Sequence, residues 1–90
     1  MFEWDDDKRA ANLVKHGVDL ADAERLDWAA ALTVPDTRGD YGEARFVSIL
    51  PLDRRLHVCV WTWRQAARRI ISLRKANRRE DQFYARQDIY

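Results

Sequence analysis

Cysteine is almost missing from this chain: Cys59 stands alone among 90 residues, so no internal disulfide can form. It lies in an apolar strand pattern, which favours a small buried side chain over a nucleophile. Glycine and proline are also scarce, three and two residues, which leaves no glycine-rich phosphate loop, nucleophile elbow or flexible linker. The only histidines, His16 and His57, lie far apart, and neither has a second ligand at helix or hairpin spacing. Metal catalysis is therefore poorly supported, and no cofactor is expected. No apolar run approaches the length of a membrane span and no secretory h-region is visible, so the chain reads as cytoplasmic.

What is present is the composition of a folded domain, 47% hydrophobic and 34% charged. Ninety residues allow one core, and residues 1–90 read as a single domain with any site on one face. The net charge of +1 conceals an asymmetry. Met1 to Asp53 carries six basic and twelve acidic residues, while Arg54 to Tyr90 carries ten and three. A positive face for nucleic acid fits this division, although mutual pairing into a neutral surface would also account for it.

Along the chain, Phe2-Glu3-Trp4 alternates like a short edge strand. Asp5 to Gly17 has carboxylates in front, Lys15 and His16 behind and a glycine stop, the arrangement a helix dipole favours. Asp19 caps a second helix ending near Trp28. Ala30 to Pro35 reads as a strand, Asp36 to Glu43 as a polar loop and the most mobile segment, and Arg45 to Pro51 as the next strand. Leu56 to Arg64 follows as a central strand covered on both faces. In the last strand, simple alternation puts Arg68, Ile70, Ser72 and Arg74 on one face, and Arg69, Ile71, Leu73 and Lys75 on the other. Asn77 and Glu80 have the spacing of a capping box for a final helix bearing Phe83, Tyr84 and Gln87. The expected fold is α+β: a twisted antiparallel sheet of about four strands, two N-terminal helices and one C-terminal helix.

The chemistry suggested is cationic. Arg64 and Arg74 end successive strands, and Arg78, Arg79, Glu80 and Tyr84 follow on the helix. RNA cleaves when its 2′-hydroxyl attacks the adjacent phosphorus, which needs a base, an acid and cations near the phosphoryl oxygens, but no metal. Arg64 and Arg74 suit the cation role, and His16, Glu80 and Tyr84 are candidates for proton transfer. Each has a structural alternative: His16 as the end of a helix, Glu80 as a helix cap, and Tyr84 as core filling. The four tryptophans read mainly as core, with Trp63 the one placed to stack on an unpaired base.

Phe2-Glu3-Trp4-Asp5, Lys8, Asn12, Lys15-His16-Gly17-Val18, Thr62-Trp63-Arg64, Arg69 to Ala76 and the Glu80 to Tyr84 ending resemble the BrnT family of bacterial type II toxins over nearly the whole chain. The resemblance implies a RelE-like fold and a ribonuclease that arrests growth. It also implies neutralisation by a BrnA antitoxin carrying a ribbon-helix-helix DNA-binding part, the complex repressing its own promoter. The positions it carries over are His16, Arg64, Arg69, Ser72, Arg74, Glu80 and Tyr84. Trp63, where a charged residue is common, and Leu73, where a small one is usual, depart from the family pattern.

The expected function is thus a metal-independent endoribonuclease toxin. Catalysis is assigned to His16, Arg64, Arg74, Glu80 and Tyr84, and RNA binding to Trp63, Arg69, Ser72, Arg78 and Arg79. Its partners would be RNA, a BrnA-like antitoxin and, through it, promoter DNA, with no membrane. A non-catalytic nucleic-acid-binding module acting within a protein complex is the alternative reading.

Overall fold

In the computed structural model, which describes residues 1–87, one sheet organises the chain. Strand β1 (Phe2–Trp4) leads into helix α1 (Asp6–His16), and two short 3₁₀ segments follow, Leu20–Arg25 and Trp28–Ala30. Then come β2 (Leu32–Pro35), β3 (Arg45–Leu52), β4 (Arg55–Arg64), β5 (Ala67–Lys75) and helix α2 (Arg78–Gln87). The α+β class is as expected.

The sheet has five strands in the order β1-β5-β4-β3-β2, rather than about four. It is mixed, because β1 runs parallel to β5, pairing Phe2 with Arg68 and Trp4 with Ile70. A three-residue strand has enough alternation to show its faces, but too little to show its partner or direction. The second helix also differs from expectation. Asp19 does cap it, accepting from the Ala21 N–H at 3.0 Å, but the turns are 3₁₀ and stop at Arg25. There the Asp27 N–H donates to the Pro51 carbonyl at 3.0 Å, a tertiary bond that draws the chain out of helical geometry.

Helix α1 follows its sequence signals closely. Asp5 accepts from the Lys8 N–H at 3.1 Å, and Gly17, at φ 70°, closes the helix in the left-handed conformation. Its buried Asn12 continues the work of β1. Beyond Trp4 the edge of β5 has no strand beside it, and the Asn12 side chain fills in: it accepts from the Leu73 N–H at 3.1 Å and donates to the Leu73 carbonyl at 2.7 Å. Its amide also donates to the Val18 carbonyl at 2.8 Å, fixing the chain just after the helix.

One face of the sheet is the main core. Leu20, Ala23, Leu50, Cys59, Trp61, Ile70 and Leu73 pack there, with Phe2, Trp4, Trp28 and Phe46 around them. Each large apolar side chain so buried contributes about 1.5–3 kcal/mol. Cys59 is buried as expected, and burial pushes its thiol up to about 12. On the opposite face Ile49, Val58 and Ala76 pack with Tyr84 of α2.

Candidate nucleic-acid cleft

Strand β5 does not alternate simply. Val60 pairs with Ser72 and Trp61 with Ile70, so Ile71 is an extra residue without a partner on β4. This β-bulge reverses the strand's phase. Ile70 and Leu73, which strict alternation puts on opposite faces, therefore enter the same core. Arg68 and Arg74, expected on one face, leave opposite ones: Arg68 lies over the Trp28, Trp61 and Trp63 rings at 4.3, 5.0 and 5.0 Å, whereas Arg74 lines a cleft on the other side.

That cleft has a volume of about 330 Å³. Val34, Val47, Val58 and Val60 form its floor, Ser72, Arg74 and Glu80 one wall, and Asp36, Thr37 and Arg38 the other. A few polar groups converging on an apolar floor are what a small binding site requires. Arg74 is held by Glu80 in a fork, Nη1 to Oε1 at 2.8 Å and Nη2 to Oε2 at 2.7 Å. Glu80 also accepts from the Asn77 N–H at 2.9 Å, while Asn77 Oδ1 accepts from the Glu80 N–H at 2.8 Å. The capping box thus exists, and its carboxylate positions the arginine. The Arg74 guanidinium lowers the Glu80 pKa, so Glu80 is a carboxylate at neutral pH.

His16 reaches the same region from α1. It lines a neighbouring hollow with Lys8, Asn12, Lys15, Ile71 and Ser72, and Ser72 belongs to both recesses. Partial burial lowers the His16 pKa, and the charges of Lys15 and Arg74 lower it further, which favours the neutral imidazole. His16, Ser72, Arg74 and Glu80 therefore form one neighbourhood.

Other expected site residues lie elsewhere. The Tyr84 hydroxyl donates to the Ala30 carbonyl at 2.6 Å and lines a separate hollow with Ala30, Ala31, Leu32 and Gln87. Arg64 closes β4 six residues beyond Val58, the partner of Arg74. At a strand rise of about 3.3 Å per residue, that separation is roughly 20 Å. Arg64 lies 3.8 Å from Glu43, and Arg69 is paired with Glu3 across the β1–β5 ladder. Trp63 is 50% exposed but packs edge-on against Trp61, on the core side of the sheet. Arg78 and Arg79 are exposed on the first turn of α2.

One wall residue, Arg38, lay outside the sequence-based set. Its Nε and Nη2 clasp both oxygens of Asp36 at 2.8 Å, and its N–H donates to Asp36 Oδ1 at 3.1 Å. The Tyr41 hydroxyl adds a longer bond to Asp36 at 3.4 Å. The Asp36 carboxylate is buried, and the Arg38 guanidinium holds it well below the usual carboxylate range. The Asp-x-Arg spacing just after Pro35 was the available signal, but it does not show that the loop folds back over the sheet.

Among the described residues, no three His, Cys, Asp or Glu side chains converge on a point that could hold a metal, and no helix is long and apolar enough to cross a membrane. A family model described as the ribonuclease toxin, BrnT, of type II toxin-antitoxin systems matches residues 4–80. The chain belongs to the BrnT family. The BrnT match extends from the end of β1 to Glu80 and so takes in α1, the loop carrying Arg38 and the whole of β5. BrnT membership brings with it RNA as substrate and an antitoxin as partner. No curated protein matches the chain.

Proposed function

We propose that this BrnT-family chain is a metal-independent endoribonuclease whose reaction centre is the neighbourhood of His16, Ser72 and Arg74. The observation that carries the reading is a forked Arg74 at the cleft wall, close enough to a half-buried histidine for its charge to bias that ring towards neutrality. Neutral His16 takes the proton from the ribose 2′-hydroxyl. The 2′-oxygen bonds to the adjacent phosphorus, the bond to the 5′-oxygen breaks, and that oxygen takes a proton from water. The products are a 2′,3′-cyclic phosphate and a 5′-hydroxyl. Arg74 meets the negative charge that grows on the phosphoryl oxygens, where a preorganised donor is most effective.

Glu80 acts by aiming Arg74, and Tyr84 by tying α2 to the segment before β2. Arg78 and Arg79 contact phosphates beyond the cleft, while Arg64, Arg69 and Trp63 meet more distant parts of the strand. A BrnA-type antitoxin with a ribbon-helix-helix part covers the arginine-rich face, and the complex reaches promoter DNA through it.

The test is RNA cleavage in EDTA by substoichiometric protein. Wild type should turn over, and Arg74→Ala should be slower by about 10²–10³-fold. No cleavage by wild type in EDTA, full activity in the variant, or stoichiometric protection in place of turnover would overturn the proposal.

A further inference from the structure

The cleft has two arginines, one on each side. Arg74, on β5, is clasped through two nitrogens by Glu80, and Arg38, on the β2–β3 loop, is clasped through two nitrogens by Asp36. Both guanidiniums are thereby oriented by their own carboxylates. The Arg38 fork uses Nε and Nη2, which leaves its Nη1 edge for another acceptor. Its side chain is 68% exposed, whereas the carboxylate beneath it is 1% exposed. Asp36 therefore works as a buried anchor, and Arg38 presents its charge outward. Besides the two arginines and the carboxylates that clasp them, the cleft is lined by valines, Pro35, Thr37 and Ser72.

Two like charges facing each other across a valine floor repel, and the Arg38 charge is felt at Arg74. An anion bound between or beside them relieves that repulsion and gains two charge-assisted contacts. The floor gives the anion's apolar neighbour a seat: the planar base or the sugar of a nucleotide fits over Val47, Val58 and Val60, while its phosphates meet the walls. Planar guanidinium forks are well matched to phosphate oxygens.

We infer that Arg38 is a second phosphate-gripping residue of this cleft, holding the phosphate next to the scissile one so that a single nucleotide of single-stranded RNA is bracketed between Arg38 and Arg74. The inference rests on the ribonuclease reading for the identity of the strand, but it concerns binding and can be measured without cleavage. Arg38 is a positioning residue: it fixes the substrate's register along the cleft, and Arg74 faces the reacting phosphorus.

Two measurements test it. The first is affinity for a single-stranded 2′-O-methyl oligonucleotide, which lacks the attacking hydroxyl, over a range of salt. Arg38→Ala should bind roughly tenfold more weakly, and its slope of log affinity against log salt should be shallower by about 0.7, the value for one lost phosphate contact on a single strand. Asp36→Asn keeps the cation while weakening its clasp, so it should lose less affinity than Arg38→Ala and keep the wild-type salt slope. The second measurement is cleavage kinetics, where Arg38→Ala should raise KM about tenfold and lower kcat by less than threefold.

An unchanged salt slope in Arg38→Ala would overturn the inference. So would an Asp36→Asn variant whose salt slope falls as far as that of Arg38→Ala, because the arginine's charge would then make no phosphate contact of its own. Failure of wild type to bind the oligonucleotide at low salt would also overturn it. If wild type binds with the expected slope but cuts no RNA, the ribonuclease mechanism fails while the two-arginine clamp stands.

Discussion

Glu80 grips Arg74 with both carboxylate oxygens, and one of those oxygens also accepts the Asn77 N–H at the start of α2. A single side chain thus sets the helix and aims the cation. The two tasks separate in Glu80→Gln, because glutamine can serve a capping box but brings no charge to the arginine. We expect α2 to persist by circular dichroism, stability to fall by about 1 kcal/mol in urea melts, the pair being partly exposed, and kcat to fall more than KM rises. An equal loss of helix and activity would show that the cap, not the aim of Arg74, is what matters.

His16 should titrate below its ordinary value of about 6.5. Partial burial is the main cause, and Arg74 adds to it. Following the imidazole Cε1 proton by NMR should show this depression, and Arg74→Gln should move the midpoint up. The acidic limb of kcat against pH should lie with the same depressed midpoint if His16 is the base. The sign for stability follows from proton uptake. The unfolded chain protonates its histidine near pH 6.5 and the native state only lower, so this contribution is complete above pH 6.5 and is lost as pH falls towards the native midpoint.

Asn12 should be among the most sensitive polar positions in the fold. Asn12→Ala orphans the N–H and carbonyl of Leu73 and the carbonyl of Val18. The expected loss is about 2–4 kcal/mol, read as a lower urea midpoint with little change in slope. Asn12→Asp should fare no better, since it loses both donated bonds and places a charge in a buried site.

Cys59 should be inert in the native protein. Its side chain is buried, and its thiol is pushed up to about 12. Mass spectrometry after iodoacetamide treatment at pH 8 should find it unmodified in buffer and alkylated in urea. Native modification that parallels loss of RNA cleavage would contradict the burial and bring the thiol into consideration for the site.

What the sequence revealed was mostly local. The Asp5 and Asp19 caps, the Gly17 stop and the Asn77–Glu80 box all stand where residue type and spacing put them, because each is decided within a few residues. The cleft's Arg74 and its neighbour His16 were nominated the same way. Three features depended on distant chain. The parallel pairing of β1 is set by a strand more than sixty residues away. The value of Arg38 depends on a loop folding over the sheet. Arg64 and Arg74 look equivalent as strand-ending arginines, yet antiparallel pairing sends them to opposite ends of the hairpin.

The bulge at Ile71 makes β5 two half-strands of opposite phase. Ile70 before the bulge and Leu73 after it enter the same core, so the core-facing parity changes from even to odd along the strand. Removing Ile71 would make Ile70 and Ser72 neighbours opposite Trp61 and Val60 and leave Arg74 on the valine floor, whereas taking Ile71 into the ladder, with the second half slipped by one residue, would turn Arg74 towards the tryptophan side. The side on which Arg74 stands is therefore set by the count of residues between the two halves of one strand, and a slip of one residue that remakes the ladder carries the arginine to the wrong side of the molecule.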